Sequence, residues 1–216
     1  MNYQLIQESL AGGKKLGIYK DFKKMVNRYQ LIAPNDKIAV EISADKNCLL
    51  VMSCLKEFQK EEKTFDLQYF IVKKENKLTK IQEEIISAFE IQEYVELDDK
   101  KVEDVYDRME RLGCTKVALP HNYNDIVNST FMTFMQRKQA AQIQPKRTSK
   151  HVSKLQFIRP LCIVEDAKIL KWIDVIDMEL VEEISLLSKL AFIEEGIVVP
   201  EKSIATQFEF NIYERI

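Results

Sequence analysis

The alternation of two hydrophobic periods along the middle of the chain constrains its fold more than any other feature. Lys37 to Ile42 (K-I-A-V-E-I) reads as a short, largely buried strand after the turn-like Pro34-Asn35-Asp36. Ser43 follows at once, and then Val51, Cys54, Leu55 and Phe58 recur at i, i+3, i+4 and i+7, the spacing of one helix face. The pair then repeats. Phe65 to Val72 is β-rich, Leu78, Ile81, Ile85 and Phe89 form a helical stripe, and Ile91 to Leu97 alternates again. Val102, Val105, Tyr106 and Met109 mark a helix that Gly113 is placed to cap. Lys116 to Leu119 reads as a fourth strand, and a helix beginning at Asn124 has Val127, Phe131, Phe134 and Met135 on its apolar side. Leu155 to Leu161 is the fifth strand, followed by a helix through Ile169, Leu170 and Ile173. Alternation sustained over about 140 residues predicts crossover units: an α/β fold with an open, mostly parallel, five-stranded Rossmann-like sheet and helices on both faces. Residues 1–33, with a break at Gly12-Gly13, and residues 179–216 read as helical appendages to an α/β domain at 34–178.

With 216 residues the chain suffices for one sizeable core plus such appendages, not for two full domains. No apolar run approaches the roughly 18 residues that cross a bilayer, and the first residues carry no secretory or lipidation signal. A cytoplasmic protein with no membrane partner is expected. Cys48, Cys54, Cys114 and Cys162 show no C-x-x-C spacing, and His121 and His151 are the only histidines. Reduced thiols and no metal site are therefore expected. The net charge of −2 is unevenly spread. No Asp or Glu occurs from Ile126 through Val164, while Arg137, Lys138, Lys146, Arg147, Lys150, Lys154 and Arg159 all fall there. Such a stretch is either an electrostatic footprint for RNA or a solvated loop.

In an open α/β sheet the ligand sits outside the carboxyl ends of the strands, where strand order reverses, which directs attention to Ser43-Ala44-Asp45-Lys46-Asn47-Cys48. This S-x-x-K-x-x between strand and helix resembles the S-G-G-K-D-S pyrophosphate loop of the PP-loop ATP pyrophosphatases, in particular the bacterial tRNA-cytidine thiolation proteins. Three further segments follow in the family's order. Gly113 through Asp125 (G-C-T-K-V-A-L-P-H-N-Y-N-D) is similar to the strand ending in G-H-H-R-D-D, Ile143-Gln144-Pro145-Lys146 to M-P-P-K, and Ile158-Arg159-Pro160-Leu161 to I-R-P-L. The similarity spans roughly residues 25 to 178 and implies an adenine-nucleotide alpha-hydrolase-like sheet.

The resemblance implies that the loop's backbone N–H groups and the helix N-terminus hold the phosphates of ATP, with magnesium, and that ATP adenylates a tRNA base carbonyl before sulfur displaces AMP. On it, Ser43, Lys46, Asn47 and His121 are the nucleotide-binding candidates and Asp125 and Cys48 the catalytic ones. Arg137, Lys138, Lys146, Arg147, Lys150 and Lys154 would face tRNA. The departures are chemical. Ala44 replaces a glycine, at about 1 kcal/mol if φ must be positive. Asp45 replaces the next, and a carboxylate about 4 Å from one phosphate charge costs roughly 4 kcal/mol at an effective dielectric of about 20. Asn47 stands for an acidic residue, Cys48 for a serine, and Asn122, Tyr123 and Asn124 for H, R and D. Tyr94-Val95-Glu96-Leu97 occupies the place of the family's cluster-binding C-x-x-C, and no cysteine follows Cys162, so no iron–sulfur cluster is expected.

Each candidate also has a plain structural reading. Ser43 and Lys46 fit a capped strand-to-helix turn, His121 and Asp125 a turn and a helix start, and Cys48 a small packed residue. Two functions remain open: a divergent PP-loop ATPase-like protein of the tRNA-thiolation lineage with a nucleotide-type site after the first strand and ATP pyrophosphatase activity weakened or lost, or a non-catalytic binding or regulatory module that uses the same fold for another ligand or a protein partner. Whether the ends cover the site or build an oligomer interface is open as well.

Overall fold

The computed structural model describes residues 17–72, 78–97, 102–137, 143–150, 152, 154–173, 191, 192 and 194–197. The break expected at Gly12-Gly13, Lys138, His151 and most of the appendage expected at 179–216 lie outside these residues.

Strand β1 (Lys37–Ile42) is central, and its neighbours leave only its faces to be covered. It pairs in parallel with β2 (Asp66–Val72) along its whole length and with β4 (Lys116–Ala118) through Ile38 and Ala39. β3 (Tyr94–Leu97) extends the sheet beyond β2, and β6 (Gln156–Ile158) extends it beyond β4. A further strand, β5 (Lys146–Thr148), runs antiparallel to β6 at the edge, giving the order β3-β2-β1-β4-β6-β5. The five strands expected from the sequence are thus corrected to six. The missed one is a three-residue K-R-T segment inside the basic stretch, with no apolar alternation to mark it.

The period of two in the strands separates two cores. Ile38, Val40 and Ile42 of β1 meet α1 (Ile18–Tyr29), α2 (Lys46–Glu62), α3 (Lys80–Ala88) and α6 (Asp166–Ile173) through Phe22, Leu55, Ile85 and Trp172. Ala39, Phe70, Val117 and Phe157 point the other way, onto Tyr106 and Met109 of α4 (Val102–Arg111) and onto Ala191. Gly113, at φ +77°, closes α4: its N–H donates to the Glu110 carbonyl at 2.8 Å and the Cys114 N–H to that of Met109 at 2.9 Å. This satisfies carbonyls that a helix end leaves without partners.

Two helices depart from the stripes expected of them. In α2 every residue from Lys46 to Leu55 is buried, because its K-N-C-L-L-V-M-S-C-L start is apolar nearly all round. In α5 (Tyr123–Arg137) the apolar stripe faces outward: Val127, Phe131, Phe134 and Met135 are exposed, while Ser129 and Thr133 take the buried side. The Thr133 hydroxyl donates to the Ser129 carbonyl at 2.6 Å, which allows a polar side chain to face inward without water.

Candidate functional site

The chain lays down β1, β2 and β3 on one side and then returns to place β4 on the other, so strand order reverses between β1 and β4. Loops that leave these two strands diverge and open a crevice at their carboxyl ends. Residues 43–45 leave β1 there, and residues 119–122 leave β4.

Asp45 dominates the first loop. It is the N-cap of α2, with φ −65° and ψ 127°, and its side chain accepts from the backbone N–H of Asn47 at 2.6 Å and of Cys48 at 3.4 Å. The Ser43 hydroxyl oxygen accepts from the Asp45 N–H at 3.2 Å, folding the loop onto itself. Asp45 is only 2% exposed, so its carboxylate lies inside the turn, against the positive end of the helix dipole. A cap of this kind stabilises a helix by about 1 kcal/mol. Neither Ala44 nor Asp45 has the positive φ that would demand glycine.

The starts of α5 and α6 converge on the same place. Asn122 and Asp125 exchange hydrogen bonds across the first turn of α5: the Asp125 N–H donates to Asn122 Oδ1 at 2.9 Å, and the Asn122 N–H to Asp125 Oδ2 at 3.1 Å. This is a capping box built from amide and carboxylate. Asn47 Nδ2 donates to the same Asp125 oxygen at 3.0 Å and so ties α2 to α5. Asn122 Nδ2 donates to Asp166 Oδ1 at 2.6 Å, and the Asp166 N–H to Asn124 Oδ1 at 3.0 Å, which ties α5 to α6. Lys46 Nζ lies 4.0 Å from Asp166. Asn47 Oδ1, by contrast, is buried with no hydrogen-bond partner.

His121 stands behind this cluster. Arg159 Nε donates to its Nδ1 at 3.0 Å, and Phe192 stacks on its ring at 4.0 Å between centroids. Because a guanidinium has only donors, Nδ1 is the acceptor, and the neutral ring carries its proton on Nε2. Arg159, with no exposed surface, also donates to Glu195 Oε1 at 2.6 Å and to the Gln144 carbonyl at 2.8 Å. Burial lowers its pKa and the Glu195 carboxylate works against that shift. The Cys162 thiol nearby is pushed up to about 11, chiefly by burial.

The structure thus brings Ser43, Lys46, Asn47, Cys48, His121 and Asp125 to one edge of the sheet. Three of the basic residues are engaged within the chain. Lys146 Nζ donates to the Gln30 carbonyl at 3.0 Å, Arg147 lies 3.9 Å from Glu195, and Lys150 Nζ donates to the Glu194 carbonyl at 3.0 Å. Lys154 is exposed, and the side chain of Arg137 lies outside the described residues. The sequence reading missed Asn122, Asp166, Arg159 and the segment at 191–197. For Asn122 the signal was present as N-x-x-D at a helix start. For Phe192 and Glu195, far along the chain, there was none.

The chain is 25% identical over 174 residues to the tRNA-cytidine(32) 2-sulfurtransferase of Neisseria meningitidis serogroup A, covering 68% of this chain and 53% of that protein. It is 37% identical over 71 residues to the protein of the same name from Delftia acidovorans, covering 32% and 21%. It is similar in sequence to PP-loop tRNA-thiolation proteins. The chain spans about half the length of the curated PP-loop relatives it matches. No protein-family model matches it. Among solved structures, the U34-tRNA thiolase of Methanococcus maripaludis has a TM-score of 0.61 at 16% identity, over 86% of this chain and 73% of that one. That likeness shows a shared α/β fold.

The U34-tRNA thiolase structure holds a 4Fe-4S cluster, and this corrects the expectation of no iron–sulfur cluster. The expectation rested on the C-x-x-C spacing missing at Tyr94 to Leu97 and on the lack of a cysteine after Cys162. Among the described residues no group of three or more Cys, His, Asp or Glu is placed to hold a metal ion. The described residues do not assemble a ligand set for a cluster.

Proposed function

We propose that this chain is a PP-loop-type protein of the tRNA-thiolation lineage whose phosphate cradle is occupied by its own Asp45. Its ATP pyrophosphatase activity is weakened or lost, while it retains an RNA-binding role in the cytoplasm. The observation that carries the reading is the pair of hydrogen bonds from Asn47 and Cys48 N–H to the Asp45 carboxylate. These donors, at the N-terminus of the helix after β1, are the groups that a phosphate would need. An entering phosphate must displace the carboxylate or lie beside it, and the second arrangement costs roughly 4 kcal/mol at about 4 Å and an effective dielectric of about 20. That is about three decades in affinity.

Ser43, Lys46, Asn47, His121 and Asp125 remain the polar lining of the site, with Lys46 as its cation. The tRNA-modifying relatives support RNA as the partner. Calorimetry with ATP, AMP and pyrophosphate plus magnesium tests the reading, on the wild type and on a variant carrying Ala44→Gly and Asp45→Gly. The expected result is no binding by the wild type at micromolar concentration and binding by the double-glycine variant. Micromolar binding of ATP by the wild type would overturn the closed-cradle reading and make an adenylation assay on tRNA the next step.

A further inference from the structure

The apolar stripe of α5 faces away from the sheet. Tyr123, Val127, Phe131, Phe134 and Met135 are 44 to 60% exposed, while Ser129 and Thr133 take the buried side. Tyr123, Val127, Phe131 and Met135 follow one another at intervals of four and so form a single i±4n ridge, with Phe134 beside it. Charge is missing from this face. No Asp, Glu, Lys or Arg occurs from Ile126 through Gln136, and Asp125 is turned toward Asn122 and Asn47 in the candidate site. A contiguous apolar face of this kind marks an interaction surface.

We propose that the stripe is the contact between two copies of this chain, with their α5 helices antiparallel about a two-fold axis that passes between Val127 and Phe131. The inference stands apart from the RNA reading above. Charge is the first argument. A face without charge offers a different protein no complementary charge to select it by, whereas two copies of it meet without repulsion. Rings and methionine at the centre, with charges absent and the exposed amides of Asn128 and Gln136 among them, are the composition of an interface core.

Spacing is the second argument. An i±4n ridge seats in the groove beside the same ridge of another helix, at a crossing of about −50°. A two-fold axis makes every contact reciprocal. With the axis at the middle of the ridge, Val127 meets the partner's Phe131 and Tyr123 meets the partner's Met135, each pair twice. A small side chain then faces a ring, and a pliable thioether faces a ring. Parallel packing would align the two helix dipoles, which the antiparallel arrangement opposes. Area is the third argument. A half-exposed aromatic ring buries about 100 Å² when covered, so the five side chains offer roughly 450 Å² per copy and about 900 Å² for the pair. That lies close to the ~1,000 Å² at which specific association begins, and it corresponds to a dimer in the micromolar range, not an obligate one. Tyr123 directly follows Asn122, whose side chain belongs to the candidate site. The partner's Met135 therefore comes to the rim of each site, and the two sites lie at opposite ends of a contact ~18 Å long.

The test is sedimentation velocity of the full chain across a dilution series. The wild type should be dimeric at about 100 µM and monomeric at about 1 µM. Phe131→Asp and Val127→Lys should each weaken association by about a hundredfold and leave the chain mostly monomeric at the higher concentration, with the melting temperature of the dilute protein unchanged. Mixed in equal amounts, these two variants should recover the dimer. The antiparallel register sets their opposite charges against each other once and leaves one Val127–Phe131 contact intact. Tyr29→Ala, at an exposed aromatic on α1, should leave association as it is. A wild type that stays monomeric at about 100 µM overturns the proposal; a fall in its melting temperature on Phe131→Asp would then assign the cover of the stripe to the same chain. A dimer that survives both single substitutions overturns it too, because the contact then lies elsewhere. If both substitutions abolish the dimer and the mixture does not restore it, the antiparallel register is wrong.

Discussion

Arg159 holds three parts of the molecule at once: the ring of His121, the Gln144 carbonyl and the carboxylate of Glu195. Replacing it by methionine leaves the buried Glu195 carboxylate with only the longer contact to Arg147, and the expected loss is about 3 kcal/mol in a urea titration. Adding Glu195→Gln to Arg159→Met should recover a large part of that loss, because the uncompensated charge goes with it. If the double variant is as unstable as the single one, the ion pair is not what the arginine contributes. The ring itself gives a second measurement. In nitrogen-15 spectra of the wild type, His121 should show a bare Nδ1 and a protonated Nε2, with His151→Gln serving to assign the signals; the reverse tautomer would contradict the Arg159 geometry. At this scale the sequence was half legible. Asp45 stood in view as a replaced glycine, and its charge suggested repulsion of phosphate. Its placement directly before an apolar helix also carried the N-cap signal, which the comparison with a glycine loop obscured. Arg159 was visible as a charge in a basic run and as part of Ile158-Arg159-Pro160-Leu161, but not as a tie across the molecule, since its partner Glu195 lies 36 residues away in the chain.

Individual elements show where hydrophobic periods succeed and where they fail. α4 was readable from both its stripe and its terminal Gly113, whose φ of +77° few other residues tolerate. No atom lies within 4 Å of where a Cβ would stand, so Gly113→Ala should act through conformation alone. It is expected to cost about 1 kcal/mol, or a fall of about 2–4 °C in Tm by calorimetry. A much larger fall would mean that a steric clash is also present. β5 was not readable, because three residues of K-R-T at an edge have neither the length nor the alternation of a buried strand. α5 had a legible stripe but no legible direction: periodicity identifies a helix's apolar face but does not say whether the protein or a partner covers it.

At the scale of the whole molecule, the mostly parallel sheet follows from alternation that was plain in the sequence, its strand order does not, and the chain's thiols record how complete the burial is. Cys54 is pushed well above the ordinary thiol range by burial and by Glu57, while Cys114 is pushed up to about 11, chiefly by burial and against the pull of Lys37. A thiol whose folded pKa is raised contributes stability in full below the ordinary value and loses it as pH climbs toward the folded one. For Cys114 and Cys162 that window runs from 9.0 to about 11. The urea midpoint should therefore fall between these pH values, and Cys114→Ser with Cys162→Ser should flatten the decline. A midpoint as steep in the double serine variant would trace the decline to other groups. At pH 8 a thiol reagent should leave Cys54 and Cys114 unmodified until the protein unfolds. The capped turn after β1 has a consequence on this scale too. Where a loop's donors wait for an external anion, the apoprotein is less settled than the complex, and its persistence rises and falls with the supply of that anion. This chain carries the counter-ion in its own sequence at Asp45, so its shape should endure equally in a cell rich or poor in nucleotide, its abundance uncoupled from energy charge.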